Sequence, residues 1–325
     1  MMPNVTDQRI DQLSVGAGPI PETFEASFRG QRDWRFWELM AFYFGCLGAG
    51  LYAISALLDW RAPGGAPRTT VTGLIVGFVL VIVIKNGSHV LGSSRPGRAL
   101  RALSQVGSSW ISRGSLFILL FGIFGALDVM VRLGWIPGDK DVLGWILGIL
   151  ALLASLAVMV YVGFVMAQGR RISLWHSPLM PVIFLVYSVV VGCALATGIF
   201  VIFGIAYDTE LVRVLMLIGI PVMIFLVLAQ LAFLGTSTEA GRISLRMLIR
   251  GRLAAPYIGG ALIFGLVIPL ILTAAAYGTS GGEAVASVIS AVLIVIGGYL
   301  FFSSLLKAAV YTPTVEPGRS LLVNI

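Results

Sequence analysis

Five ionisable side chains are set within long apolar runs of this sequence: Glu38, Lys85, His89, Asp128 and, as a weaker acid, Tyr161. Such groups are expensive inside a bilayer, so each is by default a candidate for chemistry. An imidazole and a phenol can donate hydrogen bonds to a ligand, and a carboxylate can accept or deliver a proton. A lysine can hold that carboxylate ionised or relay protons. Each group also has a plain structural role open to it. Glu38 and Lys85 can pair or reach for the interface, His89 can close the end of its helix, and Tyr161 can simply pack. Asp128 stands four residues before Arg132, the spacing of a helical ion pair near the membrane surface.

The elements that must carry these residues follow from composition. The chain has 325 residues, of which 58% are hydrophobic and 11% charged, against roughly 25% charged in soluble proteins. Apolar runs long enough to cross a bilayer recur along almost the whole length. They predict an all-α integral membrane protein with eight transmembrane helices, near 36–58, 70–91, 112–134, 142–167, 179–206, 211–236, 256–277 and 284–310. Breakers mark the joints: Arg-Ala-Pro-Gly-Gly-Ala-Pro at 61–67, Pro137-Gly138, and Gly278 to Gly282. Small residues thread the helices, as in Gly45-x-x-Gly48-x-Gly50 and Gly192 with Gly198, and suit close packing in lipid.

Eight spans put both termini on one side, together with the connections after spans two, four and six. Sixteen Lys and Arg residues fall on that side and five on the other, so the termini are expected to be cytoplasmic in the inner membrane. This orientation sorts the ionisable groups by depth. Glu38 opens span one, His89 lies about a turn from the cytoplasmic surface, Lys85 lies one turn deeper, and Tyr161 sits two turns above the end of span four. All four converge on the cytoplasmic half, while Asp128 belongs to the opposite half of span three.

Several classes of function drop out. The basic residues sit in short loops, which points to topology rather than nucleic-acid binding. Cys46 and Cys193 lie in separate apolar runs and read as small core residues. His89 and His176 are the only histidines and cannot supply facing axial ligands for a haem. There is no cysteine cluster for iron–sulfur, no phosphate-binding loop and no hydrolytic triad, so this chain is expected to hold no metal. The first 35 residues lack an apolar signal core, and span one is expected to serve as its own insertion signal.

The order of several short motifs resembles a known group. They are Trp37-Glu38 leading into Tyr43-Phe44-Gly45; His89-Val-Leu-Gly-Ser-Ser-Arg-Pro-Gly-Arg98; Ser108-Ser-Trp-Ile-Ser-Arg-Gly114; and Tyr161-Val-Gly163 followed by Trp175-His-Ser-Pro-Leu-Met-Pro181. Together they are similar to the NrfD/PsrC-type membrane subunits, the anchors of polysulfide and dimethyl sulfoxide reductases. The chain departs from that pattern at Ser93-Ser94, inserted between Gly92 and Arg95.

The resemblance implies two four-helix bundles, 36–167 and 168–311, with cytoplasmic segments 1–35 and 312–325 outside them. It implies a quinone pocket, for ubiquinone or menaquinone, in the first bundle. Carried over by motif, the quinone-binding residues are Glu38 and Tyr161, with His89 added on geometry. Lys85 and Asp128 are possible proton-relay groups, and Phe36, Phe42, Trp110 and Met166 are candidate walls. The implied partners are a four-cluster iron–sulfur subunit docked over Arg95, Arg98, Arg101 and Arg113, and a molybdopterin catalytic subunit beyond it. The rival readings are a secondary transporter or proton translocator, and a purely structural anchor.

Overall fold

The computed structural model describes residues 28–61, 71–93, 103–136, 140–275 and 283–313. Among them, eight helices are long and apolar enough to cross a membrane. These are α1 (Phe36–Arg61), α2 (Val71–Gly92), α3 (Trp110–Arg132), α4 (Lys140–Ala167), α5 (Met180–Ile202), α6 (Thr209–Thr236), α8 (Ala255–Ala275) and α9 (Glu283–Lys307). The short α7 (Glu239–Ile249) joins α6 to α8. Two strands, β1 (Arg29–Gly30) and β2 (Val310–Tyr311), pair antiparallel beyond the ends of α1 and α9. The expected spans are therefore all present, with ends displaced by a few residues.

The first helix occupies the centre. In its most apolar stretch 89% of positions are buried, against 28% in α2 and in α3. It packs on α2, α4 and α5, and its glycines explain how. A β-carbon at Gly50 would fall 2.0 Å from the Ser188 carbonyl oxygen, and one at Gly48 would fall 2.7 Å from the Gly77 carbonyl oxygen. Backbone therefore meets backbone, α1 against α5 and α1 against α2, as small residues permit in lipid. Gly265 and Gly297 join α8 to α9 in the same way.

Helix ends are closed by local chemistry. On the face opposite the termini, α3 and α5 each finish in a glycine of positive φ, Gly134 and Gly204. The following amides of Trp135 and Ile205 reach back to Met130 and Phe200, which satisfies the last free carbonyls of each helix. At the other face, His176 Nδ1 lies 2.6 Å from the Ala167 carbonyl at the end of α4.

Three features go beyond the sequence-based expectations. One is α7, whose Ala240, Ser244 and Leu248 pack inward while Arg242, Arg246 and Arg250 form an exposed stripe. The second is a π-helical stretch, Ala255–Val267, that opens α8. The third is a π-helical turn in α2 over Leu80–Lys85. Gly77, Val81 and Lys85 are four residues apart and all face inward. Each step of four in a straight α-helix drifts by about 40°. The wider π turn absorbs that drift and keeps Lys85 on the packed side.

Candidate functional site

At the face bearing the termini, the ends of α1 and α2 meet the end of α4. Glu38 sits at the third helical position of α1 and accepts a hydrogen bond from the Arg35 amide at 2.9 Å. That is the return half of a capping box, a structural task for a candidate site residue. The opening of α1 is anchored further by Trp34, which stacks on Trp175 with ring centroids 4.8 Å apart. Gln31 adds a hydrogen bond to the Trp34 carbonyl.

Three glycines of the sequence motifs each provide the bare surface against which a candidate side chain lies. A β-carbon at Gly92 would sit 2.9 Å from Glu38 Oε1. One at Gly45 would sit 3.1 Å from both Cδ and Cε of Lys85, and one at Gly114 would sit 2.2 Å from Cδ2 of Tyr161. A fourth, Gly163 of Tyr-Val-Gly, lets α4 touch the start of α5, since its β-carbon would lie 2.4 Å from Pro181 Cα. The motifs thus mesh with one another across helices.

Lys85 is wholly buried. Its Nζ lies 5.2 Å from the centre of the Tyr161 ring and has no hydrogen-bond partner. Of the roles open to them, a Lys85–Glu38 ion pair is not formed: Glu38 is occupied at its helix end, and Lys85 points to Tyr161 instead. His89, one turn nearer the surface, sets its ring edge-on to Phe42 with centroids 6.1 Å apart. Tyr161 and Phe42 are both about 5% exposed. Lys85, His89 and Tyr161 therefore share one end of the first four spans.

The other expected walls divide. Met166 is buried and Phe36 is more than half exposed. Trp110 stacks on Phe164 at 4.1 Å, nearly parallel. Arg113 is committed to its own connection: it donates to the carbonyls of Val106 and Gly107 at 2.9 and 2.7 Å and covers the Trp110 ring. Arg95, Arg98 and Arg101 lie outside the described residues.

Asp128 stands apart, near the opposite face. It pairs with Arg132 at 2.8 Å and accepts from the Tyr52 hydroxyl at 2.6 Å. Arg132 also pairs with Asp59. The i,i+4 pair is legible in the sequence, but Tyr52 and Asp59 come from α1 and carry no local signal. Above this cluster Trp60 stacks on Trp145 with centroids 5.1 Å apart. Among the described residues no group of three or more His, Cys, Asp or Glu side chains is arranged to hold a metal ion.

Comparison with known proteins agrees with this architecture. A family model described as NrfD, polysulphide reductase, matches residues 28–313. The chain is also similar to a sulfite dehydrogenase subunit of Allochromatium vinosum, with 28% identity over 164 residues. That match covers 48% of this chain and 49% of the relative, so it spans about half the length of each. Because the family match runs through all eight spans and through every motif that meets at the Glu38, Lys85 and Tyr161 end, the chain belongs to the NrfD, polysulphide reductase, family of multi-pass membrane proteins.

Proposed function

We propose that this chain is the membrane anchor and quinone-reactive subunit of a multi-subunit oxidoreductase. It exchanges electrons between a docked iron–sulfur subunit and the quinone pool, with a molybdopterin subunit beyond that partner. The observation that carries the reading is the unpartnered Lys85 Nζ, fully buried beside Tyr161 and one turn below His89. A polar group left without a partner in an apolar interior costs free energy. A ligand oxygen entering here would supply the missing acceptor. Family membership and the likeness to a sulfite dehydrogenase subunit support a redox complex, and sulfite is accordingly the first substrate to test on the partner.

A quinone supplies the coupling of two electrons to two protons. The residues of this chain would hold its ring and manage those protons. The Tyr161 hydroxyl and the His89 ring can each donate to a ring oxygen. Glu38, at the edge of the same end, is placed to pass protons to and from water. The bias of basic residues towards the face bearing the termini supports a cytoplasmic orientation for that face. The iron–sulfur subunit would dock there, over Arg95, Arg98 and Arg101.

The test uses the intact complex. Tyr161→Phe is expected to abolish quinone-coupled turnover and leave the partner's reduction of an artificial dye unchanged. Quinone coupling at the parental rate in this variant overturns the site.

A further inference from the structure

We propose that the cleft between α2 and α3, at the end bearing the termini, is the lateral route by which a quinone enters from the bilayer, and that it holds the isoprenoid tail once the ring is bound. The inference rests on the quinone reading above and adds to it a tail-binding groove.

Among the described residues, α2 and α3 touch in the half away from the termini and separate towards them. In the touching half, Gly125 lies against Phe78 and Gly122 against Ile82, where β-carbons would fall 3.0 and 3.4 Å from those side chains. Beyond Ile82 the two helices part. The last turns of α2, Asn86–Gly92, hardly approach α3, and a β-carbon at Gly87 would meet nothing within 4 Å. Each helix leans on another neighbour instead. Gly92 of α2 lies against Trp37 and Glu38 of α1, Gly114 of α3 lies against Tyr161 of α4, and Trp110 stacks on Phe164.

Those contacts close the other borders of the site. α1 meets α2 at Gly92, α3 meets α4 at Gly114, and α4 meets α5 at Gly163, whose β-carbon would fall 2.4 Å from Pro181 Cα. The hydrocarbon tail of a quinone keeps it within the bilayer, so it must reach the site from the side, between two helices. Among the described residues the α2–α3 cleft is the border left open. Its walls suit a hydrocarbon. On α3, the face that carries Gly125 and Gly122 continues at helical spacing through Ile118 and Ser115 to Ile111, and Ile111 is more than half exposed. Ser115 gives its hydroxyl to the Ile111 carbonyl at 3.1 Å. Across the cleft, Val90 and Leu91 at the end of α2 are also more than half exposed. Lys85 and Tyr161 behind it are covered, so the lining side chains turn aside as the ring passes inward. Moving the tail from lipid to this groove trades one apolar surrounding for another. The groove therefore contributes access and direction more than affinity.

The experiment measures steady-state turnover of the intact complex with two quinones and with an artificial dye. One quinone is decylubiquinone; the other is dimethoxy-methyl-benzoquinone, the same ring without a tail. Gly87→Leu and Ile111→Trp add bulk at open or exposed positions, so assembly and dye activity are expected to persist. Each should raise the KM for decylubiquinone about tenfold, as crowding of a filled groove does, with kcat near the parent's and the KM for the tail-free ring unchanged. Leu153→Trp, on an exposed face of α4, controls for bulk alone and should change neither KM. Unchanged KM for both quinones in Gly87→Leu and Ile111→Trp means that the cleft holds an ordinary lipid chain only, and overturns the route. Equal rises for both quinones place the effect on the ring and overturn it too. A parent complex that reduces the dye but exchanges electrons with neither quinone overturns the site reading on which the route rests.

Discussion

The ring of Tyr161 lies against the backbone of Gly114, closer than any β-carbon at position 114 allows. The contact joins two motifs, Ser-Ser-Trp-Ile-Ser-Arg-Gly and Tyr-Val-Gly, whose contacting residues are 47 positions apart on antiparallel helices. It also fixes the ring that Lys85 approaches. The phenol is thus held against a glycine and beside the Lys85 amine, with its orientation set by packing.

Gly114→Ala should therefore behave as a displaced tyrosine. The new methyl would fall 2.2 Å from Cδ2, and the ring has to swing away. Quinone-coupled turnover is expected to drop towards the level of Tyr161→Phe, with the complex still assembled. Steady-state assays with quinone and with an artificial dye separate the two effects. Unchanged quinone turnover would sink the idea that ring position matters.

Glu38 carries two tasks that substitution can separate. Its bond to the Arg35 amide closes the start of α1, and loss of such a cap costs about 0.5–2 kcal/mol. Glu38→Ala should lower the melting temperature of the protein in detergent. Glu38→Gln keeps an oxygen that can cap, so it should melt close to the parent while quinone-coupled turnover falls. Equal melting of both variants would show that the cap contributes nothing.

These residues mark the limits of what sequence can tell. Eight spans are legible because each is a long apolar run, and the Asp128–Arg132 pair because it is local. Placing Glu38, Lys85, His89 and Tyr161 at one end needs only depth along straight helices. Which of them touch cannot be read that way. The π turn changes the direction of Lys85 without changing its depth, and the capping role of Glu38 depends on where α1 begins. Likewise α7 is hidden among the spans because apolar length is not its signature. Its marks are Thr238, which caps its start, and arginines recurring every four residues from 242 to 250.

Near the opposite face, Arg132 sits between two carboxylates, Asp128 and Asp59. Removing one partner from a buried ionic cluster costs about 3–5 kcal/mol. Arg132→Met leaves both acids without their shared cation and should strongly reduce the folded yield. Adding Asp128→Leu in the same chain should restore part of the loss, because one of the two acids is gone. Thermal unfolding in detergent, comparing the single and double variants, is the measurement. No recovery in the double variant would argue against charge as the cause.

Asp208 supplies a pH dependence. Its carboxylate caps α6 by accepting from the Leu211 amide and pairs with Arg61 at 2.9 Å. The amide bond first, then the guanidinium, holds its pKa below the usual carboxylate range. The folded state therefore binds its proton less readily than the unfolded one. The resulting stabilisation is complete above about pH 4 and is lost as pH falls through the lower folded value. Asp208→Asn keeps the cap but not the charge, so its melting temperature should depend less on acid than the parent's below about pH 4. Parallel curves for the two proteins would exclude the effect.

The central place of α1 has a consequence for how the protein is made. Helices enter a membrane in the order of their synthesis, and α1 is the first of the eight. Yet its bare glycine backbone at Gly50 is covered by Gly192 of α5, a position that leaves the ribosome some 140 residues later. Until then the segment with the least surface suited to lipid has α2 and α4 beside it, but its Gly50 face stays uncovered. Its mean hydropathy of 1.7 is the lowest of the eight, which fits a helix that waits beside the insertion machinery rather than in open bilayer. The candidate site is then completed from the inside out, around a helix that arrived first and was enclosed last.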